Sequence, residues 1–254
     1  ATVLRERIHN MVLHETKIHL SKAVLLKDAL TGEPVSSTIR LHSLSGGRVK
    51  RKSDGYFLFL DVKVPQFEIE AESPIYQCRR ICLTSDAGEE VEEILMYPSP
   101  AYPQRSGYTA VRGKAAPGSI LRCYVEDKEQ SCRLINDYKK GEAEISLYLK
   151  GGAKSVFWHI REKQKKTGEY FHLKNLNEGA EVYRPGRPLK CAYRKKDTVI
   201  YPAQETAADA HGEFYLLFRE LPEEKCLLHY SYENAGKEKS GEAEIIRAKE
   251  NYIL

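Results

Sequence analysis

The sequence predicts an all-β protein built from two or three small β-sandwich modules in series, and three observations support this. Short runs of alternating apolar and polar residues, separated by turn residues, recur along the 254 residues. A glycine turn that leads into an aromatic-rich strand occurs three times, at 54–62, 167–176 and 211–221. Hydrophobic residues make up 41% and charged residues 30% of the chain, a balance typical of a globular protein with a packed core.

The first 20 residues are predicted to form an N-terminal arm. His9, His14 and His19 recur there every five residues. The H-E-x-x-H zinc motif needs two histidines at positions i and i+4, on one helix face. A spacing of five makes the side chains diverge on a helix and point to opposite faces on a strand. We therefore expect exposed polar histidines and no metal site in the arm.

Residues 21–97 are predicted to form the first module. The segment 28–35 reads Asp-Ala-Leu-Thr-Gly-Glu-Pro-Val, and a second strand and the Asp54-Gly55-Tyr56-Phe57 turn-strand follow it. A return strand at 67–71 then leads to Tyr76. Thr31-Gly32 is typical of a tight turn, and Asp-Gly is a strong hairpin signal.

This pattern resembles the carboxypeptidase regulatory-like family, a transthyretin-like β-sandwich, over about residues 22–83, with a weaker echo at 181–247. The resemblance implies immunoglobulin-like or transthyretin-like modules. In that family the module is usually an accessory of enzymes, surface receptors, adhesins or phage-tail-like injection machines. It has no catalytic residues of its own, so the resemblance carries none over to this chain.

Further along the chain, a proline-rich linker is predicted at 98–106, because three prolines in six positions stiffen the backbone. Two more sandwich modules are predicted at 107–179 and 180–254. Pro117–Cys123 resembles Pro185–Cys191, and the sequence Gly-Glu-Ala-Glu-Ile occurs at both 141–145 and 241–245. These echoes indicate related modules rather than a strict repeat period.

The six cysteines leave two pairings open. A hairpin that turns at residues 127–128 would place Cys123 opposite Cys132, within reach of a disulfide. The favoured alternative is two reduced, half-buried thiols. Cys191 and Cys226 form the other candidate pair. Cys78 and Cys82 lie about 13 Å apart on one predicted strand, which is too far for them to pair.

No motif in the sequence predicts a catalytic, cofactor-binding or metal-binding residue. Residues 107–115 differ from a phosphate-binding loop because five residues, not four, separate the glycines and Ala115 stands where a hydroxyl would bind magnesium. The nucleophile-elbow and dinucleotide-binding patterns are absent from the sequence, as are paired C-x-x-C motifs. We predict a protein that is not an enzyme.

Three basic clusters occur, at Arg48–Lys52, Lys163–Lys166 and Arg194–Lys196. They lack interleaved aromatic residues for base stacking, and the net charge of +4 is mild. We interpret the clusters as solvated hairpin tips and expect no nucleic-acid partner. The longest apolar run is far shorter than the roughly 20 residues of a membrane helix, so no membrane span is predicted.

Trp158 lies in the alternating segment 155–160, which places it on one strand face with Val156 and Ile160. Because apolar neighbours share that face, we expect Trp158 to be a core anchor. An exposed Trp158 would instead be able to stack on a sugar ring.

The leading hypothesis is a non-catalytic structural or binding protein with a protein partner. By the resemblance, it would belong to a bacterial surface structure or a phage-tail-like particle. The alternative is a carbohydrate-binding or adhesive protein, and the third hypothesis is an enzyme with a scattered site. Reduced thiols would indicate the cytoplasm or an assembled particle, whereas a removed signal peptide would indicate an extracellular location.

Overall fold

The structure is a computed structural model that describes residues 18–35, 39–85, 91–104, 106–149, 157–165, 167–174, 181–234 and 237–253. Over these residues the chain forms strands and no helix, which confirms the all-β sandwich prediction. Residues 1–17, with His9 and His14, lie outside the described part of the chain. The strands are β1 (Leu20–Asp28), β2 (Arg40–Ser43), β3 (Arg48–Arg51), β4 (Tyr56–Leu60), β5 (Gln66–Glu72), β6 (Arg79–Thr84), β7 (Glu92–Met96), β8 (Thr109–Lys114), β9 (Ile120–Val125), β10 (Arg133–Leu134), β11 (Ile145–Tyr148), β12 (Phe157–Glu162), β13 (Gly168–Lys174), β14 (Val182–Pro185), β15 (Thr198–Ala207), β16 (Glu213–Phe218), β17 (Lys225–Asn234), β18 (Lys237–Ile246) and β19 (Glu250–Ile253).

The first sandwich consists of a four-stranded sheet in the order β3-β4-β1-β7 and a three-stranded sheet in the order β2-β5-β6. Strand β1 pairs antiparallel with β4 and parallel with β7. Strict alternation explains how the sheets pack: Phe67, Ile69 and Ala71 of β5 are buried, and the residues between them are polar. The buried core between the two sheets is formed by residues from Val24 to Met96.

The rest of the chain forms a nine-stranded sheet in the order β10-β11-β14-β13-β12-β15-β9-β17-β18 and a three-stranded sheet in the order β16-β8-β19. One core lies where β8, β16 and β19 pack on β9, β17 and β18, and its centre includes Val111, Leu121 and Leu228. A second core lies under β10 to β15 and is centred on Trp158, Ile160 and Ile200. Trp158 is fully buried there, which confirms the prediction of a core anchor.

Strand pairing crosses the predicted boundary between residues 179 and 180. Strand β8 pairs with β16 and β19, and β9 pairs with β15 and β17, although the sequence assigned β8 and β9 to the module before that boundary. The physical reason is that alternation fixes which face of a strand is buried but does not choose its partner strand. The domain boundaries themselves stay predictions.

The three glycine-aromatic segments all form strands, namely β4, β13 and β16. Gly55 and Gly212 have φ values of 91° and 77°, as expected for glycine in a tight turn. Gly168 differs, because it is needed for a close approach between strands. A Cβ at that position would overlap the carbonyl oxygen of Ile160 and lie 2.8 Å from Nε2 of His159.

The proline-rich segment 98–106 packs against both sandwiches over its described residues. The hydroxyl of Tyr102 donates a hydrogen bond to Asp28 Oδ2 at 2.6 Å, and Gln104 Nε2 donates to the Tyr215 hydroxyl at 2.7 Å. Just before it, the Tyr97 hydroxyl donates to Glu205 Oε1 at 2.5 Å. The prolines stiffen the segment, and these side chains attach it to the structures on either side.

All six cysteines are free thiols. The favoured prediction that Cys123 and Cys132 are reduced is confirmed, although both are buried rather than half-buried. The hairpin pairing is wrong: Cys123 lies opposite Gln204 and Tyr230, and Cys132 forms a bridge with Ile200. The physical reason is that β9 inserts between β15 and β17, so no edge of β9 is left for residue 132.

The other cysteine predictions have mixed outcomes. Cys191 is exposed and Cys226 is buried in a core, so this second candidate pair is not formed. Cys78 and Cys82 are unpaired, as predicted.

Candidate functional site

A cavity of about 540 Å³ opens on the nine-stranded sheet, on the face that points away from Trp158. Residues of β9, β12, β17 and β18 line it, together with the turn at 163–165 and the loop at 222–223. We call this cavity the Tyr124 trough. The side chains that determine its chemistry are Tyr124, Glu126, Arg161, Lys163, His229 and Glu242.

Aromatic rings stack around Tyr124 next to the trough. The Tyr124 ring stacks on His159 with 4.1 Å between centroids and on His229 with 4.7 Å, with interplanar angles of 10° and 11°. Tyr201 stacks on it at 5.5 Å. Tyr124 lies opposite Ala203 in the sheet, and the small Ala203 side chain leaves room for the rings of neighbouring strands to meet.

The alternation of β12 explains this arrangement. Trp158 and Ile160 point into a core, so His159 and Arg161 must point to the opposite face. Gly168 lies opposite Arg161 on β13, and its missing side chain leaves the space that His159 occupies. The same residue pattern that buries Trp158 therefore also builds the trough.

Charged groups in the trough are paired with one another. Arg161 Nη2 donates to Glu126 Oε1 at 2.5 Å, and the same carboxylate oxygen lies 3.5 Å from His229 Nε2. On the other side of the imidazole ring, His229 Nδ1 lies 3.4 Å from Glu242 Oε1. Each nitrogen of His229 therefore faces a carboxylate.

Arg161 also holds the turn beside the trough. Its Nη1 donates to the carbonyl oxygens of Glu162, Lys163 and Lys165 at 3.3, 3.1 and 3.0 Å. Its guanidinium lies over the Tyr201 ring, 5.6 Å from the centroid. The buried Arg161 side chain therefore connects the turn at 163–165 to the sheet through several charge-assisted hydrogen bonds.

Burial keeps the side chains of His159 and Tyr124 neutral. Burial, with a smaller contribution from the neighbouring Arg161 and His229, lowers the pKa of His159 to about 3. Burial also raises the pKa of the Tyr124 hydroxyl to about 12. Nδ1 of His159 and Nε of Arg161 are buried without a hydrogen-bond partner. The rings thus form a neutral apolar layer beneath a layer of paired charges.

The lysines on the rim also have partners. Lys163 Nζ donates to the carbonyl oxygen of Lys196 at 2.6 Å. Lys165 and Lys225 form ion pairs with Glu162 and Glu244, at 2.7 and 3.0 Å.

Proton transfer to a substrate needs an acid or base free to reach it. In the trough both nitrogens of His229 face carboxylates and Arg161 is paired with Glu126, so its geometry favours a rigid contact surface over general acid-base chemistry.

The structure brings two of the three predicted basic clusters together. Lys163 N donates to the carbonyl oxygen of Asp197 at 2.7 Å, so the turn after β12 lies beside the loop at 194–197. The remaining cluster, Arg48–Lys52, lies mostly in the edge strand β3 rather than at a hairpin tip. Arg48 Nη2 lies 2.6 Å from Asp61 Oδ2. That part of the hairpin-tip interpretation is wrong, because the chain stays extended and paired with β4 through Arg51.

Other sequence candidates have plain outcomes. Residues 109–114 of the segment that differs from a phosphate loop form strand β8. His19 is exposed, and its backbone N–H donates to Asp61 Oδ1 at 2.9 Å.

Among the described residues, no group of three or more His, Cys, Asp or Glu side chains is arranged to hold a metal ion. None of the described segments is a helix with the length and apolarity needed to cross a bilayer.

Sequence reasoning missed the trough entirely. Its lining residues Tyr124, Arg161 and His229 are far apart in the chain, and each belongs to an ordinary alternating strand. The only local signal was the polar position His159 between two apolar residues of β12, which showed that the second face of this strand carries different chemistry.

The sequence matches no known protein family and no curated protein. Among solved structures, the chain is similar to the D295N mutant of the shaft pilin SpaA from Lactobacillus rhamnosus GG, with 9% identity, a TM-score of 0.22, and coverage of 91% of this chain and 96% of the pilin. It is also similar to titin A168169, with 8% identity, a TM-score of 0.14 and coverage of 94% and 100%. An endo-fucoidan hydrolase of glycoside hydrolase family 107 has 7% identity and a TM-score of 0.18, and the match covers 93% of this chain but 26% of the hydrolase. Likenesses at this level carry no argument about function.

Proposed function

We propose that this chain is a non-catalytic structural protein that contributes a rigid unit of joined β-sandwiches to a protein assembly. The observation that carries the proposal is the junction between the first sandwich and the rest of the chain. Partly buried hydrogen bonds cross this junction, and Leu30 and Tyr102 pack there against the apolar cluster of Ala110, Tyr215 and Leu217. Hydrophobic contact of this kind opposes the relative motion that purely polar domain interfaces allow.

The first part of the junction is centred on Asp28. Its Oδ2 accepts hydrogen bonds from the hydroxyls of Tyr76, in the first sandwich, and Tyr102, in the linker, at 2.7 and 2.6 Å. The rings of the two tyrosines meet edge to face, with centroids 5.6 Å apart. The linker is thereby tied to the core that it leaves.

The second part of the junction is centred on Glu205 of β15. This carboxylate accepts from the Tyr97 hydroxyl at 2.5 Å and from Arg122 Nε at 2.9 Å. Beside it, Gln77 Nε2 donates to the Thr206 hydroxyl at 3.0 Å. Arg79 lies over the Tyr97 ring, 4.4 Å from its centroid. Polar groups from the first sandwich and from the nine-stranded sheet are therefore mutually satisfied.

A unit joined in this way holds its two sandwiches at a fixed distance, as a spacer or scaffold needs. The finer parts of the proposal are that the first module is of the carboxypeptidase regulatory-like kind and that the assembly is a bacterial surface structure or a phage-tail-like particle. The support for the first is the Asp28-to-Val35 motif, in which Asp28 Oδ1 accepts from the backbone N–H groups of Leu30 and Thr31 and so shapes the turn. The second rests on the family resemblance alone.

The test is to isolate the chain from its native host at its natural expression level, with mild cross-linking, and to measure its size. We expect the chain to elute in a complex far larger than 29.0 kDa. A Tyr97→Phe, Gln77→Ala variant loosens the junction, and we expect less of it in the complex although it folds. Elution of the native chain as a free monomer would contradict the proposal.

A second candidate function is carbohydrate binding or adhesion, and one observation favours it. Tyr252 and Tyr148 are large aromatic residues with 75% and 61% of their surface exposed, so their rings are open to stack on a sugar. The burial of Trp158 removes that residue from this candidate. A glycan array with the wild type and with Tyr148→Ala and Tyr252→Ala variants tests it, and an array that stays blank would exclude it.

A further inference from the structure

We infer that a second cavity, between the first sandwich and the C-terminal strands, binds an anionic ligand whose oxoanion group is held by Arg219 and Arg247. The cavity has a volume of about 880 Å³ and lies apart from the Tyr124 trough. Its walls come from the turn after β1, the linker, and the segments that follow β16 and β18. Clefts where modules meet are common places for small-ligand sites.

The two arginines are the first argument. Both line this cavity, and within the described part of the chain neither side chain forms an ion pair or a hydrogen bond. Arg219 is partly buried, and other partly buried arginines have carboxylate partners, such as Arg122 with Glu205 and Arg161 with Glu126. Two guanidinium groups therefore share one cavity without an ion pair to a carboxylate, so an oxoanion there would form charge-assisted hydrogen bonds with both.

The second argument is a buried donor. Nε of Arg219 is shielded from solvent and has no hydrogen-bond partner. A buried donor left unsatisfied destabilises the protein, and an oxoanion that binds the guanidinium edge would satisfy it. Glu220 also lines the cavity, but it forms no ion pair with either arginine, so their charges stay available.

The aromatic wall is the third argument. Tyr76 and Tyr102 line the cavity, and the hydroxyls of both are fixed on Asp28. Burial, together with these hydrogen bonds to a carboxylate, raises the pKa of both hydroxyls, so the wall carries no tyrosinate that would repel an anion. Fixed rings offer an apolar surface at little entropic cost.

The ligand class follows from these groups. A guanidinium binds carboxylate, sulfate or phosphate through two parallel N–H donors, and the tyrosine wall suits a ring that carries such a group. The cavity is much larger than one oxoanion, so the ligand has a body beyond its charged group.

The experiment is isothermal titration of the purified full chain with galacturonate, galactose, inorganic sulfate and inorganic phosphate. Galacturonate and galactose share a sugar ring, and the carboxylate distinguishes them. We expect galacturonate or one of the inorganic anions to bind and galactose not to bind. Preference for galacturonate assigns a carboxylate ligand, and preference for sulfate or phosphate assigns that oxoanion. Equal binding of galactose and galacturonate, or no binding of any anion, would overturn the inference.

Variants localise the site. Arg219→Gln and Arg247→Gln should each weaken binding at least about 10-fold, a loss that corresponds to one charge-assisted contact. Arg194→Gln is the matched control, because Arg194 is exposed in a loop outside this cavity. Since Arg247 is also exposed, its variant should fold normally even if Arg219→Gln does not. Unchanged affinity in the Arg247 variant, or an equal loss in the control, would refute the site, whatever the size of the native assembly.

Discussion

Tyr102 of the linker donates its hydroxyl to Oδ2 of Asp28, at the end of the first strand, over 2.6 Å. The same oxygen accepts from Tyr76, and Oδ1 accepts from the backbone of Leu30 and Thr31. Asp28 is almost completely buried. One carboxylate therefore satisfies a turn, a core tyrosine and the linker at once.

Asp28→Asn is predicted to destabilise the protein by about 2–3 kcal/mol, because hydrogen bonds to a buried charged group are worth about 1.5–3 kcal/mol and the amide keeps only one acceptor oxygen. Urea unfolding followed by tyrosine fluorescence measures this. Asp54→Asn, at an exposed turn with one long hydrogen bond of 3.5 Å, is the control and should change stability by less than about 0.5 kcal/mol. Equal losses in the two variants would contradict the role given to Asp28.

The sequence predicted part of this arrangement. The Asp-x-x-Thr-Gly pattern at residues 28–32 predicted the turn, since an aspartate accepts local backbone N–H groups in such turns. The attachment of Tyr102 was not predictable, because it joins residues 74 positions apart and no local pattern encodes a contact at that separation.

Tyr97→Phe tests the junction itself. The change removes one hydrogen bond to Glu205, whose pKa is lowered: burial alone would raise it, but the Tyr97 hydroxyl, the charge of His172 and the charge of Arg122 outweigh burial. We expect a loss of about 1.5–3 kcal/mol in unfolding free energy near pH 7. Because the lowered pKa contributes stability above the unfolded pKa, this loss should shrink as acid protonates Glu205.

Tyr252→Phe is the control for that measurement. Tyr252 also donates to a glutamate, Glu250 at 2.9 Å, but it is highly exposed. Its variant should be within about 0.5 kcal/mol of the wild type. A Tyr97 variant that matches this control would show that the junction hydrogen bond adds nothing to stability.

Gly168→Ala is predicted to destabilise the protein strongly, by roughly 2–4 kcal/mol, because the new Cβ meets the backbone carbonyl of Ile160 and the ring of His159. Thermal unfolding measures the change. Gly186→Ala is a matched control, since a Cβ there would make only ordinary contacts, the nearest at 3.6 Å to His172. If both variants unfold at the same temperature, Gly168 is not required by close approach.

Strand identity was far more predictable than strand pairing. Each glycine-aromatic segment formed a strand because alternation and turn glycines act within a few residues. The pairing of β9 with β15 and β17 depends on contacts across about 80 to 110 residues, and many strands have equivalent patterns. The same reason hid the Tyr124 trough, whose side chains meet only after those strands pair.

The thiols of the six cysteines should react in two groups. Cys78, Cys82 and Cys191 are exposed, whereas Cys123, Cys132 and Cys226 are buried. Burial also raises the pKa of Cys132 to about 12 and that of Cys123 further, which leaves little reactive thiolate. A thiol-reactive dye should therefore label three thiols quickly in the native protein and all six in denaturant. Fewer than six labelled thiols after unfolding without reductant would reveal a disulfide.

His159 is predicted to make the protein acid-sensitive in a defined window. Its pKa is about 3 in the folded protein, against 6.5 for the free side chain. A lowered pKa gives stability that is complete above the unfolded pKa and is lost as pH falls from about 6.5 toward the folded pKa, because the unfolded chain then binds the proton more readily. The loss approaches about 1.4 kcal/mol per pH unit below that midpoint.

His159→Phe isolates this effect, because phenylalanine keeps a ring beside Tyr124 and does not titrate. The groups that face His159, namely Arg161, His229, Tyr124 and Tyr170, are present in both proteins. We expect the difference in unfolding free energy between variant and wild type to grow in favour of the variant from pH 6.5 to pH 4.5, measured by urea unfolding at each pH. A difference that stays constant with pH would show that His159 is not held neutral by burial, and the ring layer would then not be the apolar base of the trough.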